Sequence, residues 1–443
     1  MDRPRHDSVS ESRPPLVLLG GSVRALAESA VRAGFAVHAA DLFCDLDTLA
    51  CAHVAISVAA DTSQRYPWSL RAAAAAFPRE AAWCYCGALE NHPAVIAAIA
   101  AERPLAGTPA NVVRRLRAGR RLAAAARAAG LCVPLTLSSP VGVPRDGSFL
   151  VKPRHGAGGR GVLRWIDAAA GDRCAAAARE QVIWQQFIPG LPLSAAYVMT
   201  SQGVRLLGAS RQIIGAPWCR AGDFAWCGGV AARSGTAADP CRPFLEPLER
   251  FGRELAARFQ PRGAVGVDCV ATADGRLFVL EVNPRPTASM ELHERLGAGS
   301  IAGLHVAACD TRACPQPAAT GDHAAGMTSR TGPAAWAKAI LFAAAPTPIT
   351  EHLVALIRAR RDAWTDTDGG WPAISDLPRP DQVIPGRAPV LTVFAAGDTE
   401  QEAETLLRSR IAAVVQLLPD DPDQPAIRRG TAPLAAAATK CIR

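Results

Sequence analysis

Three side chains able to bind metal ions or anions alternate at the end of an apolar strand. The segment from Phe278 to Val282 has the composition of a buried strand, and it leads through Glu281 to Asn283 and Arg285. Because successive strand residues point to opposite faces, these three polar side chains project on one side. Carboxylate and amide oxygens about 7 Å apart along a backbone can hold a hard divalent cation on a nucleotide phosphate. Arg285 would face the same anion.

A second carboxylate, Asp268, precedes Glu281 by thirteen residues in another β-branched run. The connection between the two runs contains Asp274 and Gly275, a dipeptide that favours a β-hairpin. The hairpin would place Asp268 beside Glu281, and two carboxylates with one amide would form a magnesium site for ATP. The alternative is structural: Asp268 caps a turn and the asparagine ends a strand.

A glycine-rich loop directly follows the strand that carries Lys152. Its glycines, Gly156, Gly158, Gly159 and Gly161, lie within six positions, so backbone amides can approach phosphate oxygens without side-chain obstruction. The order of a Walker loop is absent, and no dinucleotide fingerprint lies between a first strand and helix with its ribose-binding acid in the usual place. A flexible turn is the alternative, and the preceding lysine favours phosphate binding.

A short apolar strand between these two motifs ends in Gln185, Gln186, Phe187 and Ile188. Such a connector can offer polar groups to a purine edge, while its aromatic and aliphatic side chains supply an apolar wall.

The order of these motifs resembles the ATP-grasp superfamily of carboxylate-amine and carboxylate-thiol ligases, over roughly residues 15 to 400 and most strongly in 149 to 291. The resemblance implies ATP with Mg²⁺ or Mn²⁺. It implies that the metal ligands are Asp268, Glu281 and Asn283. It also implies nucleotide contacts from Lys152, Gly156, Gly158, Gly159, Gly161, Gln185, Gln186, Phe187 and Ile188.

Further site residues follow from the same resemblance. Arg285 matches the arginine that steadies the acyl phosphate, and Arg211, on an expected strand, is a second catalytic candidate or a surface arginine. An early basic residue also contacts ATP in the family. Arg117 is preferred here from a group of five, Arg114, Arg115, Arg117, Arg120 and Arg121.

Two further features of the sequence concern recognition of the base and the substrate. Many members carry an acid in the hinge, whereas here the carbonyl oxygens of Gln185 and Gln186 would accept the bond from the adenine amino group, with weaker selectivity. Glu90 and Asn91 follow an expected strand of the first domain, where substrates of open sheets bind. They would contact substrate, or cap the helix that starts near Pro93.

The implied chemistry has two steps: a carboxylate attacks the γ-phosphate of ATP, and an amine then attacks the acyl phosphate and expels phosphate. The family therefore implies an ADP-forming ligase acting on a small-molecule carboxylate and an amine. A more specific similarity is to ligases that attach glutamate to an amine in methanofuran or methylofuran assembly, including tyramine-glutamate ligase. The alternatives are a carboxylase that phosphorylates bicarbonate, of the biotin-carboxylase or purine type, and a non-catalytic ATP-binding sensor.

Composition agrees with a globular enzyme and argues against other classes. The chain has 443 residues, 49% of them hydrophobic and 20% charged. Its net charge of +8 comes without a basic block of five, and only three tyrosines are present, which argues against nucleic-acid binding. Thirteen cysteines without a CxxC pair favour a reducing cytoplasm over disulfides or a zinc ribbon. No apolar run is long enough to span a membrane. Oligomeric state is not indicated.

Periodicity predicts an α/β fold with an N-terminal doubly wound parallel-sheet domain, because a strand, a helix and a second strand succeed one another from Pro15 to Asp41. The late Ile-Pro-Gly turn and Pro-Val-Leu-Thr-Val strand resemble the closing subdomain of the biotin-carboxylase branch. The expected domain organisation is a disordered tail (1–14), an N-terminal α/β domain (15–110), an ATP-grasp domain (111–308), a loop (309–334), a C-terminal α+β subdomain (335–418) and a mobile tail (419–443).

Overall fold

The computed structural model describes residues 13–58, 65–167, 182–233, 239–309 and 332–418. The expected tails and the 309–334 loop lie outside these residues except at their edges. Among the described residues, no helix is long and apolar enough to cross a bilayer.

The first lobe is a parallel four-stranded sheet in the order β3-β2-β1-β4, as the sequence predicts. Its strands are β1 (Pro15–Leu19), β2 (Ala36–Asp41), β3 (Val54–Ser57) and β4 (Ala82–Tyr85). Its helices are α1 (Arg24–Arg32), α2 (Leu46–Cys51), α3 (Trp68–Ala74) and α4 (Pro93–Ala100). Gly34, which follows the end of α1, has φ of 88°, a conformation that glycine adopts without strain.

The β1–α1 turn of this sheet is not arranged for a dinucleotide. The Asp41 carboxylate accepts hydrogen bonds from the backbone N–H groups of Val23 and Cys44, so it is occupied within its own loop. A β-carbon on Gly20 or Gly21 would overlap the backbone that follows β4. These glycines therefore allow two loops to pack closely.

The second lobe is a small antiparallel sheet in the order β5-β8-β6-β7, preceded by two helices. The helices are α5 (Ala110–Leu116) and α6 (Gly119–Ala128), and alanine's high helix propensity suits the second. The strands are β5 (Thr136–Leu137), β6 (Phe149–Pro153), β7 (Leu163–Arg164) and β8 (Val182–Gln186). One face of this sheet packs its own core around Trp165 and Trp184, which leaves the other face for a cleft.

The largest element is an eight-stranded antiparallel sheet in the order β13-β12-β9-β10-β11-β14-β18-β16. Its strands are β9 (Leu191–Met199), β10 (Val204–Ile214), β11 (Trp226–Ala232), β12 (Gly263–Ala271), β13 (Leu277–Asn283), β14 (Ala335–Phe342), β16 (Ile374–Ser375) and β18 (Pro389–Gly397). Three helices from the middle of the chain accompany it: α7 (Leu245–Phe259), α8 (Met290–His293) and α9 (Ile301–Ala308).

The strands expected in a separate C-terminal subdomain continue this central sheet, because β14 pairs with both β11 and β18. The remaining elements of that region are β15 (Thr347–Ile349) paired with β17 (Gln382–Ile384), α10 (Glu351–Thr365) and α11 (Glu400–Val415). Thr399 begins α11 by accepting a hydrogen bond from the N–H of Glu402, a normal N-cap.

A buried network of charges joins the first lobe to the central sheet. Arg24 of α1 donates to Glu291 and to Asp376, with Nε 2.9 Å from the Asp376 carboxylate. Lys338 of β14 donates to the same Glu291 at 2.7 Å. All of these groups except Asp376 are less than 10% exposed, so each charge depends on its partners for stabilisation.

A neutral histidine makes a second bridge between the lobes. His305 of α9 accepts a hydrogen bond from the N–H of Ala264 at 2.8 Å and donates from Nε2 to the carbonyl of Ala106 at 2.9 Å. Burial lowers the pKa of His305 to about 4. The neutral ring satisfies both partners, whereas a protonated ring could not accept from Ala264.

We predict that this bridge makes the fold sensitive to acid. The folded-state pKa lies below the unfolded value of about 6.5, so the stabilisation is complete above pH 6.5 and is lost as the pH falls towards 4, by about 3 kcal/mol. His305→Gln should be less stable at pH 7.5 and should lose less stability on acidification. Thermal unfolding from pH 7.5 to 4 measures both effects. His352→Gln, on an exposed face of α10, is the control and should behave as the unmodified protein.

Candidate active site

The hairpin of β12 and β13 brings the two predicted carboxylates together. Asp268 is paired directly with Glu281, and Gly266 is paired with Asn283, so all four positions share one face of the sheet. The turn at Gly275, with φ of 81°, closes the hairpin as expected from the Asp-Gly dipeptide.

A β-bulge at Leu280 decides what lies beside the acidic pair. Val270 follows Asp268 by two residues on β12, and its partner Phe278 lies three residues before Glu281. In a regular strand, residues three apart point to opposite faces of the sheet. The extra residue Leu280 shifts the strand by one position, so Phe278 and Glu281 point to the same face. Carboxylates and an apolar pair therefore occupy the same face.

The carboxylate of Asp268 is held between two amides. Nε2 of Gln212 donates to Oδ1 at 2.8 Å, and Nδ2 of Asn283 donates to Oδ2 at 3.0 Å. Burial and the adjacent Glu281 carboxylate together raise the pKa of Asp268 to about 7. The sequence did not point to Gln212, because only the pairing of β9 with β10 and β12 places it on this face.

This donor set fits a hard divalent cation. Two carboxylates on neighbouring strands disfavour each other's ionisation, and a cation between them would remove that repulsion. Among the described residues, no group of three or more His, Cys, Asp or Glu side chains is arranged for a metal ion. The oxygen of Asn283 would therefore have to complete the set, as the sequence suggests.

Lys152 faces this site from the small sheet. It shares a sheet face with Leu150 and Ile183, opposite the tryptophan core. Burial lowers the pKa of the lysine, the carboxylates of Glu281 and Asp268 oppose that effect, and Arg117 lowers the pKa again. The lysine is thus close enough to both carboxylates and to Arg117 to feel their charges. Arg117 is exposed at the end of α5.

The two hinge glutamines each accept a hydrogen bond from the protein. Oε1 of Gln185 accepts a hydrogen bond from Lys152 Nζ at 2.9 Å, and Oε1 of Gln186 accepts one from the N–H of Leu135 at 3.3 Å. Each oxygen has a second lone pair that can accept a bond from the adenine amino group, so that expectation stays a prediction. Gln185 also fixes the position of the lysine.

An apolar wall adjoins the acidic pair, as expected for part of the hinge. Ile188 packs against Val270 and Phe278, with Cys132 and Leu280 partly buried beside them. Phe187 is not part of this cluster. The guanidinium of Arg164 lies 3.5 Å from the centre of the Phe187 ring, and this cation-π contact was not predicted from the sequence.

The glycine loop, residues 156–161, packs against the hairpin between β10 and β11. The carbonyl of Gly158 accepts a hydrogen bond from the N–H of Trp226 at 3.0 Å. At Gly159, with φ of 73°, a β-carbon would overlap the carbonyl of Phe224. Both the positive φ and the lack of space require glycine at this position. The loop of residues 156–161, termed the flap below, therefore lies close to the central sheet.

Arg285 and Glu90 form a buried ion pair between two lobes. Nε of Arg285 lies 2.6 Å from Oε2 of Glu90, and the Glu90 side chain is only 2% exposed. Burial tends to raise the pKa of Glu90, but the guanidinium outweighs it and the pKa falls below its ordinary value. The sequence treated Glu90 and Asn91 as substrate contacts or helix caps. Neither caps α4, which follows His92 without a side-chain cap.

Arg211 does not face the cleft, and the expectation that it is catalytic is wrong. Arg211 is paired with Leu193, whereas Asp268 is paired with the next residue, Ser194, so the two point to opposite faces of the sheet. The guanidinium forms ion pairs with Glu400 and Glu404 of α11. Arg211 and Gln212 are adjacent on β10, so their side chains point to opposite faces of the sheet. Arg211 therefore pairs with α11, whereas Gln212 contacts Asp268.

Comparison with known proteins agrees with this architecture. Residues 120–289 match the family model described as an ATP-grasp domain. A search of curated proteins gives no match.

Solved structures extend the likeness beyond the ATP-grasp domain to most of the chain. Carboxyaminoimidazole ribonucleotide synthase from Aspergillus clavatus, complexed with ATP, has a TM-score of 0.63 at 16% identity and covers 91% of this chain and 99% of its own. Biotin carboxylase from Campylobacter jejuni has a TM-score of 0.62 at 13% identity, covering 91% of each chain. L-amino acid ligase from Bacillus licheniformis has a TM-score of 0.58 at 14% identity, covering 92% and 98%.

The ATP-grasp fold predicted from the sequence is confirmed, with its parallel N-terminal sheet and large antiparallel sheet. The resemblance to the ATP-grasp family that was read from the sequence is confirmed over residues 120–289.

We predict that Glu90 stabilises the fold. Glu90→Gln leaves the buried Arg285 guanidinium without a carboxylate and should lower the free energy of unfolding by about 3 to 5 kcal/mol. The control is Glu102→Gln, which breaks the exposed pair with Arg71 and should cost no more than about 1 kcal/mol. Urea unfolding of the two variants gives the comparison. If Glu90→Gln is as stable as the unmodified protein, Glu90 does not stabilise the fold and its role is in substrate binding alone.

Proposed function

We propose that this chain is an ATP-dependent, ADP-forming ligase that activates a carboxylate as an acyl phosphate and joins it to an amine. The observation that carries the proposal is the cleft between the two sheets, where Lys152 lies within electrostatic reach of the Asp268 and Glu281 carboxylates. Lys152, on one side of the cleft, is suited to binding phosphate. The carboxylates on the other side are suited to binding a divalent cation, which the phosphate would also coordinate.

Lys152 and Arg117 would bind the phosphates of ATP, with Gln185 holding the lysine in place. The apolar wall of Ile188, Val270 and Phe278 would receive the base. Backbone groups of the hinge would bind the purine edge, and the oxygens of Gln185 and Gln186, which each accept one hydrogen bond from the protein, would use their second lone pair for the adenine amino group. The flap of residues 156–161 would lie over the phosphates and exclude water.

Asp268, Glu281 and Asn283 would hold Mg²⁺ or Mn²⁺. Such a cation neutralises phosphate oxygens when bound. The amides of Gln212 and Asn283 orient the Asp268 carboxylate. Because Glu281 repels the negative charge on Asp268, a cation bound between the two carboxylates would stabilise their ionised forms.

In the first step a carboxylate oxygen of the substrate attacks the γ-phosphorus, and the bond to the β,γ-bridging oxygen breaks to release ADP. In the second step the amine attacks the acyl carbon, phosphate leaves with the bonding electrons, and the amine loses a proton. Both steps depend on positioning and charge, so no Ser or Cys nucleophile is needed. Arg285, fixed by Glu90, would stabilise negative charge on the reacting oxygen.

The N-terminal lobe, residues 15–110, would supply the substrate side of the cleft through the loop at Glu90, and residues 111–308 would supply the nucleotide side. The first pair to test is L-glutamate with an aromatic amine such as tyramine, following the resemblance to methanofuran-type ligases. We place the protein in the cytoplasm, because the ten described cysteines are all free thiols.

A carboxylase is the second candidate, favoured by the likeness to carboxyaminoimidazole ribonucleotide synthase and biotin carboxylase. Such an enzyme would phosphorylate bicarbonate in place of an organic acid. ADP formation that depends on bicarbonate and not on an organic acid would select it.

We predict that an ADP-release screen of carboxylic acids crossed with amines, with bicarbonate as a separate arm, will show release that requires both an acid and an amine. Glu281→Gln should lower that rate by at least about 100-fold, because it removes a predicted metal ligand. Glu246→Gln, a surface variant of α7, is the matched control and should retain the rate.

Two outcomes would overturn the ligase proposal. Tight ATP binding without phosphate release in any mixture indicates a nucleotide sensor. Full activity of Glu281→Gln would show that the acidic pair is not the metal site.

A further inference from the structure

The short turn Leu89–Asn91 contacts two separate parts of the candidate site. Glu90 pairs with Arg285 at the end of β13. The next residue, Asn91, donates a hydrogen bond from Nδ2 to the carbonyl of Gly156, the first glycine of the flap, at 3.2 Å. The flap is therefore tied on one side to the β10–β11 hairpin through Gly158 and on the other to the N-terminal lobe.

The turn is a rigid support for this contact. Leu89 is fully buried in the core of the first lobe. Ala88 before it has φ of 70°, a left-handed conformation that surrounding packing must impose on a residue with a β-carbon. α4 begins two residues after Asn91, so the side chain has little freedom to move away.

The burial of Asn91 points to a role for its amide group. The residue is 6% exposed, and its Oδ1 is buried without a hydrogen-bond partner among the described residues. Burying an amide with one atom unbonded is costly. This cost is explained if the position of the side chain is set by the hydrogen bond from Nδ2 to Gly156, which lies in an otherwise exposed glycine loop.

We propose that Asn91 is a positioning residue that latches the flap shut over bound nucleotide, and that it couples flap closure to the placement of Arg285 through the shared turn. The inference rests on the proposed function, since it requires nucleotide beneath the flap. A latch in the N-terminal lobe would make closure depend on the lobe that carries the substrate side of the cleft.

The flap contains its own reporter of closure. Arg154 and Arg160 are exposed in or beside the flap, so trypsin can cleave after each when the flap is open, and the bond after Lys152 is protected by Pro153. The experiment measures cleavage at these two sites by mass spectrometry, with and without Mg²⁺ and the ATP analogue adenosine 5′-(β,γ-imido)triphosphate. Binding of the analogue is measured separately by calorimetry.

In the unmodified protein the analogue should bind and slow cleavage. Asn91→Asp, which replaces the donor by a carboxylate facing a carbonyl, should bind the analogue yet be cleaved about threefold to tenfold faster in its presence, the value of one lost hydrogen bond. Asn91→Ala, which removes the donor without adding charge, should give the same direction and covers the case in which the aspartate variant does not fold. Asn111→Asp makes the same chemical change on an exposed residue of α5 and should remain fully protected.

The outcomes separate the two levels of the proposal. Absence of both binding and protection in the unmodified protein overturns the proposed function. Binding with full protection in both Asn91 variants overturns the latch and leaves the proposed function standing. Binding without protection in the unmodified protein also overturns the latch, because the flap would then not close over nucleotide.

Discussion

The register of one β-hairpin is the constraint on which the rest of the site depends. β12 and β13 place Asp268 opposite Glu281, and the bulge at Leu280 keeps Val270 and Phe278 on that same face. A shift of one residue would turn the carboxylates away from the cleft and replace them with core side chains. A single β-bulge therefore places the proposed metal-binding residues and the proposed base-binding residues on the same face of the sheet.

Charges at this site are held in an unsatisfied state. Burial and the proximity of Glu281 raise the pKa of Asp268, while burial lowers the pKa of Lys152 across the cleft. Each group would regain stabilisation from a ligand that carries the complementary charge, and a metal-bound polyphosphate carries both. The energy of placing these groups in a partly dry cleft is thus offset only when the ligand arrives.

Two groups of charges outside the cleft pair with one another. Arg24, Lys338, Glu291 and Asp376 neutralise one another between the first lobe and the central sheet, and Arg211 is neutralised by two glutamates of α11. These groups fix how the lobes meet. At the site, the Asp268 carboxylate lies beside a second carboxylate, and Lys152 is hydrogen-bonded to a neutral amide.

The sequence by itself determined the local part of this protein. Some features depend on neighbours in the chain, and the structure has them as expected: Glu281 and Asn283 on one face, the Asp-Gly turn, the glycines after Lys152 and the strand-helix-strand start. Only the tertiary structure decided which of Arg211 and Gln212 faces the cleft, that the hinge glutamines serve the protein, and that Glu90 pairs with a residue 195 positions away. Those outcomes depend on strand register and on contacts between lobes, which are set by long-range packing and leave no periodic signal in the chain.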